Sequence, residues 1–136
     1  VNGNTFRAIN GAIDRIEAVD TSLSDLDRER FFQIQFQGNN FNNITTQSAN
    51  PLRLTHHQNS AATLWTIDTA QRLPFQAQFL DADTLIAKSP ILTPSGARRH
   101  ALPYIELQYG SDKDQAAIVW PEAVKGKVGL QLRCDR

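Results

Sequence analysis

A change of hydrophobic period near Phe31 restricts what this chain can fold into more than any other feature. Upstream, Phe6, Ile9, Ile13, Ile16, Val19, Leu23 and Leu26 recur at steps of three and four. That spacing puts them on one stripe of an amphipathic helix and leaves Arg7, Asp14, Arg15, Glu17, Asp25, Arg28 and Glu29 on the wet side. The pattern predicts an N-terminal helix over residues 1–30, with Asn4 as its N-cap. Gly11 and the run Asp20-Thr21-Ser22 weaken it and place a kink near Asp20.

Downstream the period is two. Phe32, Ile34 and Phe36 alternate with Gln33, Gln35 and Gln37, and the alternation returns in residues 75–79, 104–109 and 128–134. Segments 52–55, 63–68, 84–88 and 116–120 are weaker strand candidates. One apolar and one polar face per strand is the habit of antiparallel sheets. Turn chemistry separates the segments at Ala70-Gln71-Arg72, Asp81-Ala82-Asp83, Pro94-Ser95-Gly96, Gly110–Asp114 and Gly126. The predicted fold class is therefore α+β. One domain spans residues 1–136, with an amphipathic helix at 1–30, an Asn-rich surface loop at 38–51, and an antiparallel β region of seven to eight short strands at 52–136.

Composition narrows function by exclusion. Fourteen basic and fourteen acidic side chains give zero net charge, which speaks against a nucleic-acid partner. The longest apolar run, Ala116–Trp120, is far too short for a membrane span. Met is absent, at position 1 included, so a processed or excised chain is expected, with any anchor upstream.

Residues able to do chemistry do not form a constellation. His56 and His57 are neighbours on a strand segment and point to opposite faces, so they are ill-placed to share a metal, and no spacing supports adding His100. Cys134 lies on the apolar face of its strand and reads as a small hydrophobe rather than a nucleophile. Asp81 and Asp83 sit in a turn, and Arg98-Arg99-His100 is too small a basic cluster to name a ligand. Gly126-Lys127 lacks the rest of a phosphate loop. No cofactor, no metal and no catalytic activity are expected.

Beyond the residues stands a resemblance. Leu92-Thr93-Pro94-Ser95-Gly96, the strand Ile105–Tyr109, Ala117–Val119 and Gly126-Lys127-Val128 are similar to the closing pattern of type IV pilin-like proteins, in particular H-type (FimT/GspH) minor pseudopilins of type II secretion and type IV pilus systems. The family's leader and its glutamate are absent from this sequence. The resemblance implies a non-enzymatic subunit at the periplasmic face of the bacterial inner membrane. It would assemble with other pilin or pseudopilin subunits through its N-terminal helix. Phe6, Ile9, Ile13, Ile16 and Leu23 would form the assembly interface, and Asn39, Asn40, Phe41, Asn42 and Asn43 would make loop contacts. A secreted substrate or surface receptor would be the further partner, and the membrane would be met only through an upstream segment.

A second reading is a trimeric phage tail fibre or adhesin head with a short N-terminal coiled coil. Its seam would run Phe6, Ile9, Ile13, Ile16, Asp20, Leu23, Asp27, and the two aspartates are costly there. A third reading is a small periplasmic binding or inhibitory domain.

Overall fold

The computed structural model describes residues 1–20, 22, 26–76, 78 and 80–136. Its strands are β1 (Thr5–Arg7), β2 (Asn40–Asn42), β3 (Leu52–Asp68), β4 (Asp81–Ala87), β5 (Tyr104–Tyr109) and β6 (Gln115–Arg133), with single 3-10 turns at Arg28–Arg30 and Pro74–Gln76.

The predicted N-terminal helix is absent from the described part of residues 1–30, and the α+β class gives way to an almost all-β architecture. Gly3 and Gly11 adopt φ of +66° and +108°, which no right-handed helix accepts. Asn4 does not cap a helix. Its backbone N–H donates to Asn39 Oδ1 at 3.0 Å and its side-chain amide to the Asn2 carbonyl at 2.9 Å. Asp20 Oδ1 accepts from the Ser22 N–H at 2.9 Å.

What replaces the helix is a coil of two parallel laps. Thr5, Phe6 and Arg7 lie opposite Asn40, Phe41 and Asn42, thirty-five residues further on. Before them Asn2 pairs with Gln37, and after them Ile13 pairs with Ile44. The offset shortens to thirty-one at that last pair because the first lap carries a longer corner, which holds Ile9 and Gly11. Hydrogen bonds between the laps run Gly3 N to Gln37 O, Asn40 N to Asn4 O, Ala8 N to Asn42 O, and Thr46 N to Asp14 O, at 2.7–3.1 Å. On the side that faces the second lap, the backbone groups that a helix would satisfy internally are met here by a chain segment far away in sequence.

The Asn-rich segment 38–51, predicted as loop, thus contributes β2 to this coil. The expected strand at Phe31–Gln37 does not form as one piece. Gln33 takes φ of +52° and breaks the alternation, so Phe31 and Phe36 are buried while Phe32 is 61% exposed. The expected strand at 75–79 is a tight turn where it is described, with Phe75 and Gln76 at φ of +60° and +49°. Ala77 and Phe79 lie outside the described residues.

The rest is one antiparallel sheet built on β6. Along one edge β3 pairs with β6 from Leu52↔Leu132 to Asp68↔Gln115. Along the other edge β5 holds the first part of β6 (Tyr104↔Val119) and β4 the last part (Ala87↔Val128). Instead of seven to eight short strands, residues 52–136 hold four among those described, two of them long. The pairs of segments 52–55 and 63–68, and 116–120 and 128–134, were expected as separate strands and are each joined. Asp81-Ala82-Asp83 opens β4 instead of forming a turn, and Gly126 lies inside β6. The join is possible because the β3–β6 register slips between Gln58 and Leu64, opposite Trp120–Lys125. Pro121 sits in that bulge, where no ladder N–H is demanded of it. Trp65 pins the bend: its indole N–H donates to the Ala62 and Val124 carbonyls at 3.1 and 3.2 Å.

The core lies on the inner face of β3 and β6, formed by Leu52, Trp65, Ile67, Ile118, Val124, Val128, Leu130 and Leu132, and is covered by Phe31, Leu73 and Ile91. A buried polar tie joins the coil to the end of the sheet. Asp135 and Asn50 are both fully buried. Asp135 accepts from the Ile34 N–H at 2.6 Å and from Asn50 Nδ2 at 2.7 Å, and Asn50 Oδ1 accepts from the Cys134 N–H at 3.0 Å. Arg133 Nη2 lies 2.9 Å from the same carboxylate.

Candidate functional site

The residues expected to bear on partner chains are spread over the first lap. Phe6 stands in β1 with its ring stacked on Phe41, centroids 5.9 Å apart and planes 23° from parallel. Ile9 is 80% exposed on the long corner, Ile13 is half exposed above the buried Ile44, and Ile16 is half-buried. Leu23 lies outside the described residues. Asn39, Asn40, Phe41, Asn42 and Asn43 belong to the second lap, and Asn39 and Asn43 spend their side-chain amides on the first. Asn39 Nδ2 donates to the Val1 carbonyl at 2.9 Å, and Asn43 Nδ2 to the Ala8 carbonyl at 3.0 Å.

The sequence carried a signal for this arrangement that hydrophobic periodicity does not detect. Gly3-Asn4-Thr5-Phe6-Arg7-Ala8-Ile9 and Gly38-Asn39-Asn40-Phe41-Asn42-Asn43-Ile44 share Gly, Asn, Phe and Ile at the same positions. Comparing the chain with itself at an offset of thirty-five would have revealed the laps.

The side chains with chemical potential are engaged in structure. Cys134 is fully buried, and its thiol is pushed up to about 12 by burial first and then by the Asp135 charge. A thiol held protonated at neutral pH is a poor nucleophile. His56 rests against Trp65, ring centroids 5.8 Å apart, and its Nε2 is 3.1 Å from Gln58 Oε1. His57 is exposed on the opposite face. Arg99 pairs with Glu122, and Asp83 accepts from Gln131 Nε2 at 3.0 Å. Among the described residues no three His, Cys, Asp or Glu side chains converge as a metal site.

A cavity of about 700 Å³ opens beside the first lap, lined by Asp14, Arg15, Glu17, Leu26, Arg28 and Phe75 among others. Its charged side chains hold the walls together. Glu17 Oε1 accepts from Ser48 Oγ at 2.6 Å and from Arg15 Nη1 at 3.1 Å, while Arg28 Nη1 donates to the Gln76 carbonyl at 2.7 Å. The Thr46 hydroxyl, 2.7 Å from Asp14, is the main cause that lowers the Asp14 carboxyl below the usual range.

The outer face of the sheet carries a different feature. Leu64, Val119 and Tyr104 stand directly opposite one another on β3, β6 and β5 and so share one face. Leu64 is 41% and Tyr104 67% exposed, and Leu102, just ahead of β5, is almost wholly so. This apolar row crosses three strands and has no cover among the described residues.

Compared with known proteins, the chain matches no family model, no curated sequence and no solved structure. No helix among the described residues is long and apolar enough to cross a membrane.

Proposed function

We propose that this chain is a non-enzymatic structural module of the fibre or adhesin-head class, which joins copies of itself through the outer face of its sheet. The observation that carries the reading is the row Leu64–Val119–Tyr104 with Leu102 beside it. Large apolar side chains aligned across neighbouring strands expose a continuous patch, and such patches mark association surfaces. A sheet face also suits repeated copies, because self-complementary patches close into symmetric assemblies. The coiled-coil seam expected for this class has no helix to lie on among the described residues, so the sheet takes over its role. Pilin-type assembly was to run through a helix at residues 1–30. Parallel pairing with the second lap occupies residues 2–14 of that stretch, so a helix-borne route has no helix there to use.

Light scattering across a concentration series tests the proposal. The expected result is a defined multimer that shifts to monomer in Tyr104→Glu and Leu64→Glu, with the far-ultraviolet dichroism unchanged. A monomer throughout the series for the unaltered chain overturns it.

A further inference from the structure

The first lap exposes what the second lap hides. Val1 and Phe36 occupy equivalent places thirty-five residues apart, yet Val1 is 51% exposed and Phe36 only 6%. Ile13 stands over its pairing partner Ile44, at 47% and 7%. The polar groups differ in the same sense. Asn39 reaches up to the lap above it, where its Nδ2 donates to the Val1 carbonyl and its Oδ1 accepts from the Asn4 N–H. Asn4 is the matching residue of the first lap, and its side-chain amide folds back onto Asn2.

The backbone has an open side as well. The Asn4 carbonyl and the Ala8 N–H bond to the second lap, so by strand alternation Phe6 also faces that lap. The N–H and C=O groups of Thr5 and Arg7 then point the other way, and they have no partner among the described residues. Gly3 and Gly38 share the left-handed conformation, φ +66° and +62°, so the first lap enters its strand as the second does and offers a matching template.

We infer that this uncovered face is a seat for one more parallel lap, a Gly-Asn-x-Phe coil joined in cis ahead of Val1. The partner's chemistry is read from the existing interface between the laps, which the new lap would continue. It would bring an asparagine to the Asn4 position, an aromatic ring over Phe6, and carbonyl and N–H groups to Thr5 and Arg7. Parallel winding puts the lap beyond the first one on its N-terminal side. A three-residue edge is also too short to hold a free peptide against the entropy of association, whereas a tethered lap avoids most of that cost. A second copy docked by two-fold symmetry would run antiparallel and would not bring the asparagines into register.

The test is a tandem duplication, with a copy of residues 1–35 fused ahead of Val1 in the full chain, in a Tyr104→Glu background that removes sheet-face association. Hydrogen exchange at the Thr5 and Arg7 amides of the original lap is the readout. The expected result is exchange slowed by about tenfold or more relative to the unextended chain, with a rise in Tm. A fusion of scrambled residues 1–35 should leave both amides fast. Unchanged exchange in the duplicated chain overturns the inference, and so does equal protection by the scrambled lap. Concentration-dependent protection in the unextended chain also overturns it, since a second copy would then fill the seat. Should the duplication prevent folding, a copy of residues 1–9 on a flexible glycine-serine linker puts the same amides to the same question.

Discussion

Cys134 shows how one side chain ties pH to stability. Burial raises its folded-state thiol from 9.0 to about 12, so the folded protein keeps a proton that the unfolded chain releases from about pH 9 upward. Stability from this group is fully present below about pH 9 and is lost as pH climbs toward about 12. Urea midpoints of the unaltered chain should therefore fall faster above pH 9 than those of Cys134→Ala. Equal slopes would show that the thiol titrates freely in the folded state. The apolar setting of Cys134 was legible in the sequence from Val128, Leu130 and Leu132 alternating before it. The carboxylate of Asp135 turning back beside Asn50 was not, because nothing local announces a contact across eighty-five residues.

Among elements, β6 is the most exacting, since it is paired on both edges. Gly126 sits in it at φ +157°, and a Cβ there would stand 2.8 Å from Ile91 Cδ1 and 3.1 Å from the Pro90 carbonyl oxygen. Gly126→Ala should cost about 1–3 kcal/mol in urea unfolding, the usual penalty of overpacking. Gly129→Ala is the comparison. There the nearest atom is Lys88 Cε at 2.7 Å, the far end of a flexible side chain that can swing away, so its cost should be the smaller. A larger loss at Gly129 than at Gly126 would contradict this account of the bend.

Elements also differ in how far sequence reveals them. Residues 104–109 alternate without interruption and form β5 over that range. The segment 116–120 is expected to end before Pro121 and Gly126 to mark a turn, yet β6 runs through both, because a bulge absorbs the proline and glycine supplies the positive φ of +157°. The stripe from Phe6 to Leu26 misled for a different reason. Steps of three and four also occur in a chain that turns corners, where they define no common face: Ile9 is 80% exposed while Ile16 and Leu26 are half-buried, and a window of a few turns cannot distinguish the two. Gly3, Asn4, Thr5, Gly11 and the β-branched residues between them are weak helix formers, and their bonding partners lie a full lap away.

At the scale of the whole molecule, the laps and the sheet are joined by the buried group of Asp135, Asn50, Arg133 and the Ile34 amide. Asp135→Ala would leave the Ile34 N–H and one donor of Asn50 without their acceptor. It should lower stability by about 3 kcal/mol, judged by urea unfolding. Fluorescence of Trp65 and Trp120, both in the sheet, should report the sheet and far-ultraviolet dichroism the whole chain, and the two should shift together. If the fluorescence midpoint stayed put, the laps and sheet would be independent bodies.

Among the described residues every pairing of the sheet runs through β6, which follows β3, β4 and β5 along the chain. While the ribosome still holds residues 115–133, β3, β4 and β5 have no common strand to join and the fold has no centre. Assembly of this sheet therefore waits for β6: until those residues emerge, the hydrophobic segments of the nascent polypeptide stay unsheltered, and its dependence on chaperones should end once they are free of the ribosome.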